Sequence, residues 1–250
     1  KFIVCVSFIS ISQILGLASF TQPIGEPIDV TLIQGNFPQS LKFNPQYIQT
    51  QVNFYEQSIR ESKSTLVIAP ETALPIPQKN IPDSFFKNLS NNNPKKNILV
   101  GIVGESSTGQ YSNSALGLQL NKDQYKYNKS HLVPFGEFVP WGFQWFVDAM
   151  HIPLGDFYRG TKNQDPFMIE NAGGFIAAGV MICYEDVFGG ELASRIQHSD
   201  KPVNLLINMT NLAWFGESQA STQQLRLSQL RSLETGLPSL RATNTGITAV

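Results

Sequence analysis

Cys183 is the first residue whose surroundings indicate chemistry. It ends an apolar run, Ala178-Gly-Val-Met-Ile-Cys183, and the carboxylates Glu185 and Asp186 follow almost at once. A buried cysteine is most often only a small hydrophobic residue of the core. Two carboxylates within three residues are unusual at such a position, however, and a strand-to-turn junction can present a nucleophile to a cleft. The pattern therefore marks Cys183 as a candidate nucleophile.

Two other reactive side chains also stand beside apolar runs. Glu71 lies between Pro70 and Pro75, whose rings stiffen the backbone. The alternative for Glu71 is an ordinary solvated turn residue. Lys129 and Glu137 bracket an apolar, proline-bearing segment that a solvated loop has little reason to contain. A surface lysine whose stem lies along the protein is the commoner case, so this alternative also stays open.

A thiol, a carboxylate and an ammonium group together suffice for covalent acyl transfer. A free thiol has a pKa of about 8.5 and is mostly protonated at neutral pH, so it needs a base. Glu71 in a poorly solvated pocket can act as that base, and Lys129 can stabilise the negative oxygen that develops on the acyl group. His131 is the one histidine adjacent to these motifs. A Cys-His protease is therefore the weaker interpretation.

The elements that must position these side chains are predicted from periodicity. Short apolar runs predict strands at 29–34, 64–69, 97–103, 111–118, 174–182 and 203–208. The stretches 44–63 and 222–234 carry apolar residues at three- and four-residue steps, for example Leu225, Leu230 and Leu233, and predict helices. This alternation favours an α/β fold over an all-β one.

Composition narrows the classes of function. The chain has 250 residues, of which 42% are hydrophobic and only 15% charged, against roughly 25% charged in an average soluble domain. The net charge of −1 argues against a general nucleic-acid binder. Two cysteines allow at most one disulfide, and the histidines at 131, 151 and 198 show no metal-ligand spacing. We therefore expect chemistry without a metal or cofactor.

The first part of the chain has the composition of a membrane segment. No charged residue occurs from 2 to 25, and about 20 apolar residues of helix cross the roughly 30 Å hydrocarbon layer. We predict that residues 1–22 end a membrane-spanning bundle, that 23–28 form a linker, and that 29–250 form a catalytic domain cut short at its C-terminal end. Lys1 precedes the segment and the next basic residue is Lys42, which places the body on the non-cytoplasmic side. A cleaved signal peptide and a buried core helix are the alternatives.

Six longer strings carry a family resemblance. The chain resembles the nitrilase, or carbon–nitrogen hydrolase, superfamily, and within it the apolipoprotein N-acyltransferase family. The strings are Gln34-Gly-Asn36 with Pro38-Gln-Ser-Leu-Lys42, Pro70-Glu-Thr-Ala-Leu-Pro75, Tyr127-Asn-Lys-Ser-His-Leu-Val-Pro-Phe-Gly-Glu-Phe-Val-Pro140, Ile182-Cys-Tyr-Glu185, Ala213-Trp-Phe-Gly216 and Arg241-Ala-Thr-Asn-Thr-Gly-Ile-Thr-Ala-Val250. The chain departs from the family pattern at Leu212, where Asp is common, and at 223–226.

The resemblance implies a fold and a set of site residues. The fold is an α/β four-layer α-β-β-α nitrilase-like sandwich preceded by a transmembrane helix segment. By motif position, Cys183 is the nucleophile, Glu71 the general base and Lys129 the stabiliser of the tetrahedral oxyanion. Glu137 is a supporting carboxylate. Tyr184 and Glu185 shape and brace the pocket around the thioester.

The resemblance also implies substrates and a location. An acyl chain moves from a phospholipid to the cysteine, and then to the α-amino group of a diacylglyceryl-cysteine lipoprotein, without a cofactor. The enzyme is expected in the bacterial cytoplasmic (inner) membrane, with the catalytic domain on the periplasmic side. The aromatic residues expected to admit acyl chains, with core packing as the alternative, are Phe135, Phe138, Trp141 and Trp214.

Two other functions stay open. The first is a nitrilase-type amidase that hydrolyses a small amide with the same Glu-Lys-Cys set. The second is a membrane-anchored binding domain on an inactive nitrilase scaffold. The intact Glu71, Lys129 and Cys183 argue against the second.

Overall fold

Apolar runs bounded by turn residues form two β-sheets in this computed structural model. The structure describes residues 2–17, 21–42, 44–91, 95–106, 108–134, 136–138, 157–171, 173–216 and 218–250. The strands are β1 (Val30–Leu32), β2 (Leu66–Ile68), β3 (Leu74–Pro77), β4 (Asn97–Glu105), β5 (Tyr111–Leu118), β6 (Tyr125–Asn128), β7 (Phe167–Asn171), β8 (Gly174–Ile182), β9 (Leu205–Thr210) and β10 (Ser239–Thr243). The helices are α1 (Phe2–Gly16), α2 (Gln39–Lys42), α3 (Pro45–Glu61), α4 (Asp83–Asn91), α5 (Gly189–Gln197) and α6 (Ala220–Thr235).

The first sheet has the order β1-β2-β4-β5-β6, with β3 paired to β4. Strands β1, β2 and β4 run parallel, whereas β4, β5 and β6 are antiparallel neighbours. The second sheet has the order β10-β9-β8-β7, in which β7 alone runs antiparallel to its neighbour. The six predicted strands are all present, and β3, β6, β7 and β10 are additional.

The two sheets pack face to face, and helices cover their outer faces. One apolar core joins Leu66 and Leu99 of the first sheet to Ala178 and Ile207 of the second. A separate core lies between the first sheet and helices α3 and α4, and a smaller one lies beneath α5. The α/β prediction is therefore confirmed, as a layered α-β-β-α arrangement.

Helix α3 shows how local sequence sets an element. Asn44 caps its start by accepting a hydrogen bond from the Gln46 N–H, and Pro45 occupies the first turn. Val52, Tyr55 and Ile59 are buried at helical spacing. The predicted helix at 44–63 is thus confirmed with nearly the same bounds.

Helix α6 is present where expected, but its buried face is polar. Leu230 and Leu233 are exposed, whereas Gln224, Ser228 and Arg231 are buried. The physical reason is hydrogen bonding. Ser228, for example, donates to Oδ2 of Asp186, which lies in the turn after β8, at 2.7 Å. The leucine spacing of this helix therefore identified the element without identifying its inner face.

The apolar segment near the start of the chain forms α1, a helix of 15 residues. All of its residues are exposed. Among the residues that the structure describes, no helix has both the length and the apolarity needed to cross a membrane.

Candidate active site

Cys183 lies at a sharp turn directly after β8. Its φ angle is +57°, a left-handed conformation that is uncommon for a residue other than glycine. A short 3₁₀ turn, Cys183–Val187, follows it. The main-chain oxygen of Cys183 accepts a hydrogen bond of 2.8 Å from the side-chain amide of Asn208 in β9. The neighbouring strand therefore helps to hold this strained turn, and such strain is frequent at functional sites.

Glu71 lies on a tight turn that follows β2. Thr72 beside it has a φ of +50°, and the turn rests directly on Gly101 of β4. A Cβ atom at Gly101 would lie only 2.2 Å from the Pro70 oxygen, so only glycine permits this approach. The Glu71 carboxylate accepts hydrogen bonds from the Asn211 N–H at 2.8 Å and from the Asn113 side chain at 2.6 Å.

Lys129 directly follows β6 and is almost fully buried, with 1% exposure. Its Nζ lies 3.0 Å from both carboxylate oxygens of Glu137 and 3.5 Å from Glu71 Oε1. The Asn113 amide also donates to Glu137 Oε1 at 2.7 Å, so it bridges the two carboxylates. One charge-assisted network thus joins Glu71, Lys129 and Glu137.

Two shifted pKa values describe the electrostatics of this cluster. Burial would lower the pKa of Lys129, but the negative charges of Glu71, of the Cys183 sulfur when it is ionised and of Glu137 outweigh it and raise the pKa above its ordinary value. Burial raises the pKa of the Cys183 thiol to about 12, and the charge of Glu71 adds to this effect. The Lys129 charge and the Tyr184 N–H act in the opposite direction. The resting site therefore holds a neutral thiol beside a permanent cation.

Glu185 connects the Cys183 turn with the segment that carries Lys129. Its Oε2 accepts from the Ile182 N–H at 2.7 Å and from the Tyr127 hydroxyl at 2.9 Å. Its Oε1 accepts from the Ser130 N–H at 2.7 Å, as well as from the Ser130 hydroxyl. These bonds fix the end of β8 relative to the end of β6. Both carboxylate oxygens of Glu185 are thus occupied by hydrogen bonds that hold the two segments of the site together.

Tyr184 forms one wall of the cluster. Its hydroxyl donates to the Leu132 oxygen at 2.6 Å, and the Lys129 Nζ lies 5.5 Å from its ring centre. The His131 ring stacks on Phe188, with ring centres 3.6 Å apart, and its Nδ1 lies 3.4 Å from Glu191 Oε2. Among the described residues, the ring of His131 contacts Tyr184, Phe188 and Glu191, and these contacts give no support to the Cys-His interpretation.

The four aromatic residues expected to contact lipid have different placements. Trp214 lies on a short turn, Ala213–Phe215, and is 71% exposed. Phe138 is half-buried beneath the guanidinium of Arg159, 5.6 Å from its ring centre. Phe135 and Trp141 lie outside the described residues.

Sequence reasoning missed three asparagines that complete the site: Asn113, Asn208 and Asn211. Asn113 lies in the middle of a predicted strand, where asparagine is depleted, so its residue type was the available signal. Asn208 ended a predicted strand and Asn211 followed it, without any reactive neighbour to mark them. The two cysteines are both free, and no group of three or more potential metal ligands occurs within the described ranges.

Comparison with known proteins identifies a matching family model and several relatives. The model for "Carbon-nitrogen hydrolase" matches residues 30–250. The apolipoprotein N-acyltransferase of Ralstonia nicotianae is 44% identical over 93% of this chain, a match that covers 44% of the relative. The protein of the same name from Nitrosomonas europaea is 40% identical over 92% of this chain and 46% of the relative. The chain thus spans about half the length of the curated relatives it matches.

Solved structures share the fold at low sequence identity. A carbon–nitrogen hydrolase superfamily protein from Xanthomonas campestris matches with a TM-score of 0.60 and 14% identity, covering 89% of this chain and 77% of that one. An amidase from Nesterenkonia matches with a TM-score of 0.59 and 15% identity, covering 90% of this chain and 78% of that one. At these identities the likeness concerns the fold alone.

Proposed function

Because the chain belongs to the carbon–nitrogen hydrolase family, we propose that it is the catalytic part of an acyltransferase that works through a Cys183 thioester. The observation that carries this proposal is a buried cluster in which Glu71 and Lys129 act electrostatically on the Cys183 thiol. The donor is a phospholipid and the acceptor is the N-terminal α-amino group of a diacylglyceryl-cysteine lipoprotein. The names of the curated relatives, which match this chain over 93% and 92% of its length, support this choice of substrates.

The first half-reaction transfers the acyl group to the enzyme. Glu71 accepts the thiol proton while the Cys183 sulfur attacks the ester carbonyl carbon of the phospholipid. The Lys129 ammonium stabilises the negative charge that develops on the carbonyl oxygen. The tetrahedral intermediate then collapses, the C–O bond to the lysophospholipid breaks, and the departing oxygen takes the proton from Glu71. A general base is required because the pKa of the thiol is about 12, far above neutrality.

The second half-reaction regenerates the thiol. The neutral α-amino group attacks the thioester carbon and Glu71 accepts its proton. The C–S bond breaks, an amide forms, and the proton returns to the Cys183 sulfur. A thioester suits this exchange because it conserves the reactivity of the acyl group toward an amine.

The surface around the site supports lipid substrates. Trp214 and Phe215 are exposed on the turn that follows Asn211, whose N–H binds Glu71. We assign Trp214 and Phe138, together with Phe135 and Trp141, to contact with acyl chains. The exposed apolar helix α1 supports attachment to the bacterial cytoplasmic membrane through residues 1–22. The position of Lys1 before this segment, with no further basic residue until Lys42, supports a catalytic domain on the periplasmic side. No cofactor takes part.

Labelling with a tagged donor tests the proposal. The full-length protein, incubated with a phospholipid that bears a tagged acyl chain, should form a hydroxylamine-sensitive adduct. Cys183→Ala should abolish the adduct, whereas Cys5→Ser, which changes the exposed second cysteine, should retain it. Equal labelling of Cys183→Ala and the native protein would contradict the mechanism.

An amidase acting on small amides is the second candidate, because amidase structures share this fold. It uses water as the acceptor and releases ammonia. Ammonia release from a small amide, with no adduct from the tagged phospholipid, would favour this candidate over acyl transfer.

A further inference from the structure

Helix α2 contacts Glu71 and its partner Asn211 through two side chains that have no part in the proposed mechanism. At one end of α2, Gln39 Oε1 accepts a hydrogen bond of 3.0 Å from the Asn211 side chain, and the Asn211 N–H binds the Glu71 carboxylate. At the other end, Lys42 Nζ donates to the main-chain oxygen of Glu71 at 3.3 Å. The motif Pro38-Gln-Ser-Leu-Lys42 therefore contacts the backbone of Glu71 directly and is linked to its carboxylate through Asn211.

Lys42 is an unusual residue for this position because it is only 3% exposed. Lysine is almost never fully buried unless it is paired with an opposite charge. Gln51 of α3, itself buried, donates to the Lys42 oxygen at 3.0 Å and fixes the end of α2. Within the described ranges, the hydrogen bond of the Lys42 ammonium is to a neutral carbonyl, so its charge is balanced only from a distance.

The ionisable groups that act on Lys42 all belong to the candidate active site. Burial lowers the pKa of Lys42 to about 8, the negative charge of Glu71 and that of the Cys183 sulfur when it is ionised oppose this change, and the positive charge of Lys129 adds to it. The interaction is mutual, so a charged Lys42 favours negative charge on Glu71 and on the Cys183 sulfur alike. The Glu71 carboxylate and the Cys183 sulfur are the two groups between which the proton moves in the proposed acyl transfer.

The carboxylates around Lys129 outnumber its single positive charge, so a second cation such as Lys42 helps to balance them. Lys129 contacts two carboxylates, Glu71 and Glu137, so one ammonium faces two negative charges. Lys42 contacts the main-chain oxygen of Glu71 and supplies a second positive charge to the cluster. A deprotonated Lys42 would leave one negative charge of this poorly solvated pocket without a balancing cation, which raises the energy of the charged cluster through which the thiol proton is transferred.

We propose that Lys42 is a positioning residue for acyl transfer, which acts through Glu71 by holding its main chain and by balancing the negative charge that Glu71 and Cys183 share. The inference rests on the proposed function. It predicts that acylation of Cys183 declines when Lys42 loses its proton, with a midpoint near pH 8.

The test measures the rate of Cys183 acylation against pH in the full-length protein, with two donors. One donor is a phospholipid, and the other is p-nitrophenyl butyrate, a small activated ester. Lys42→Met should lower the rate at pH 7 at least tenfold and remove the decline near pH 8. Lys42→Arg keeps its charge to higher pH, so it should move the decline upward by at least one pH unit. Intact-mass spectrometry of quenched samples follows the acyl-enzyme.

Lys96 offers a matched control. Lys96 is 2% exposed, and its ammonium donates to the main-chain oxygen of Ile59 at 2.7 Å. Ile59 lies in α3, so Lys96 makes the same type of bond as Lys42 but to a different element. Lys96→Met should leave the pH profile unchanged. Circular dichroism and thermal unfolding verify that each variant is folded. If Lys42→Arg does not fold, Lys42→Met decides alone, because the decline near pH 8 must then be absent.

The two donors separate failure of this inference from failure of the proposed function. A native profile in Lys42→Met, or lower rates in both Lys42 variants without any movement of the decline, would overturn the role of Lys42. The expected shifts with p-nitrophenyl butyrate, together with no acylation by the phospholipid in any variant, would support the role of Lys42 and contradict the phospholipid donor.

Discussion

The side-chain amide of Asn208 donates a hydrogen bond of 2.8 Å to the main-chain oxygen of Cys183. On its other side, Asn208 Oδ1 accepts from Arg241 Nη1 at 3.2 Å, and the same guanidinium nitrogen lies 3.2 Å from Asp186 Oδ2. All four residues are buried. The left-handed turn that presents the thiol is therefore held from below by a polar network that spans β9 and β10.

Asn208→Ala should release this turn. Loss of the hydrogen bond leaves a buried carbonyl unsatisfied, which destabilises the fold by roughly 1–3 kcal/mol. Displacement of the sulfur should slow Cys183 acylation by about 10-fold to 100-fold. Urea unfolding and single-turnover acylation measure the two effects. Asn204→Ala is the control, because Asn204 accepts from the Ala177 N–H in the same sheet, away from the thiol. Equal acylation rates in the two variants would show that Asn208 does not position the nucleophile.

Glu71→Gln should separate thiol ionisation from acylation. The charge of Glu71 helps to raise the pKa of Cys183, so its removal lowers that pKa. With the native pKa near 12, about one thiol in a thousand is ionised at pH 9. Alkylation of Cys183 by iodoacetamide at pH 9 should therefore be faster in Glu71→Gln. Acylation should nevertheless fall by about 10²-fold to 10⁴-fold, because the general base is lost.

The background for this measurement is Cys5→Ser, which leaves Cys183 as the one thiol of the chain. Glu170→Gln is the control variant, since Glu170 pairs with Lys122 at the surface. Acylation at the native rate in Glu71→Gln would remove Glu71 from the role of base, whereas slower alkylation would contradict its effect on the pKa of Cys183.

Lys129→Met should destabilise the protein and abolish acylation. It leaves the buried carboxylates of Glu71 and Glu137 without their cation, and removal of one partner from a buried ion pair costs about 3–5 kcal/mol. The double variant Lys129→Met/Glu137→Gln should recover part of the unfolding free energy without recovering activity. Urea unfolding at pH 7 measures this coupling. A double variant no more stable than Lys129→Met would contradict the arrangement of charges described above.

Trp214→Ala should impair the use of lipid donors selectively. The indole is 71% exposed, so its removal leaves the core unchanged. Acylation by phospholipid vesicles should fall several-fold, whereas acylation by p-nitrophenyl butyrate should not change. Leu233→Ala is the matched control, because Leu233 is 79% exposed on the outer face of α6. A similar loss with both donors would indicate that Trp214 shapes the pocket instead of contacting lipid.

The sequence by itself located Glu71, Lys129 and Cys183. Glu71 and Cys183 follow apolar runs and Lys129 precedes an apolar, proline-bearing segment. A strand with the turn after it is encoded within about ten consecutive residues. The same local patterns placed six strands and the helix α3 close to their observed bounds. Family resemblance, carried by contiguous strings, supplied the layered fold and the expected roles of these side chains.

Only the tertiary structure decided what surrounds these three residues. Asn211, which binds the Glu71 carboxylate, lies 140 positions after Glu71 in the chain. Lys42, which binds the Glu71 main chain, lies 29 positions before it. Such contacts depend on strand order, on register and on how the two sheets stack, none of which leaves a periodic signal near the residue concerned. Burial has the same origin, because solvent exclusion is a property of the assembled layers. It turns Lys42 from a surface-type residue into one that shares the charge of the active site.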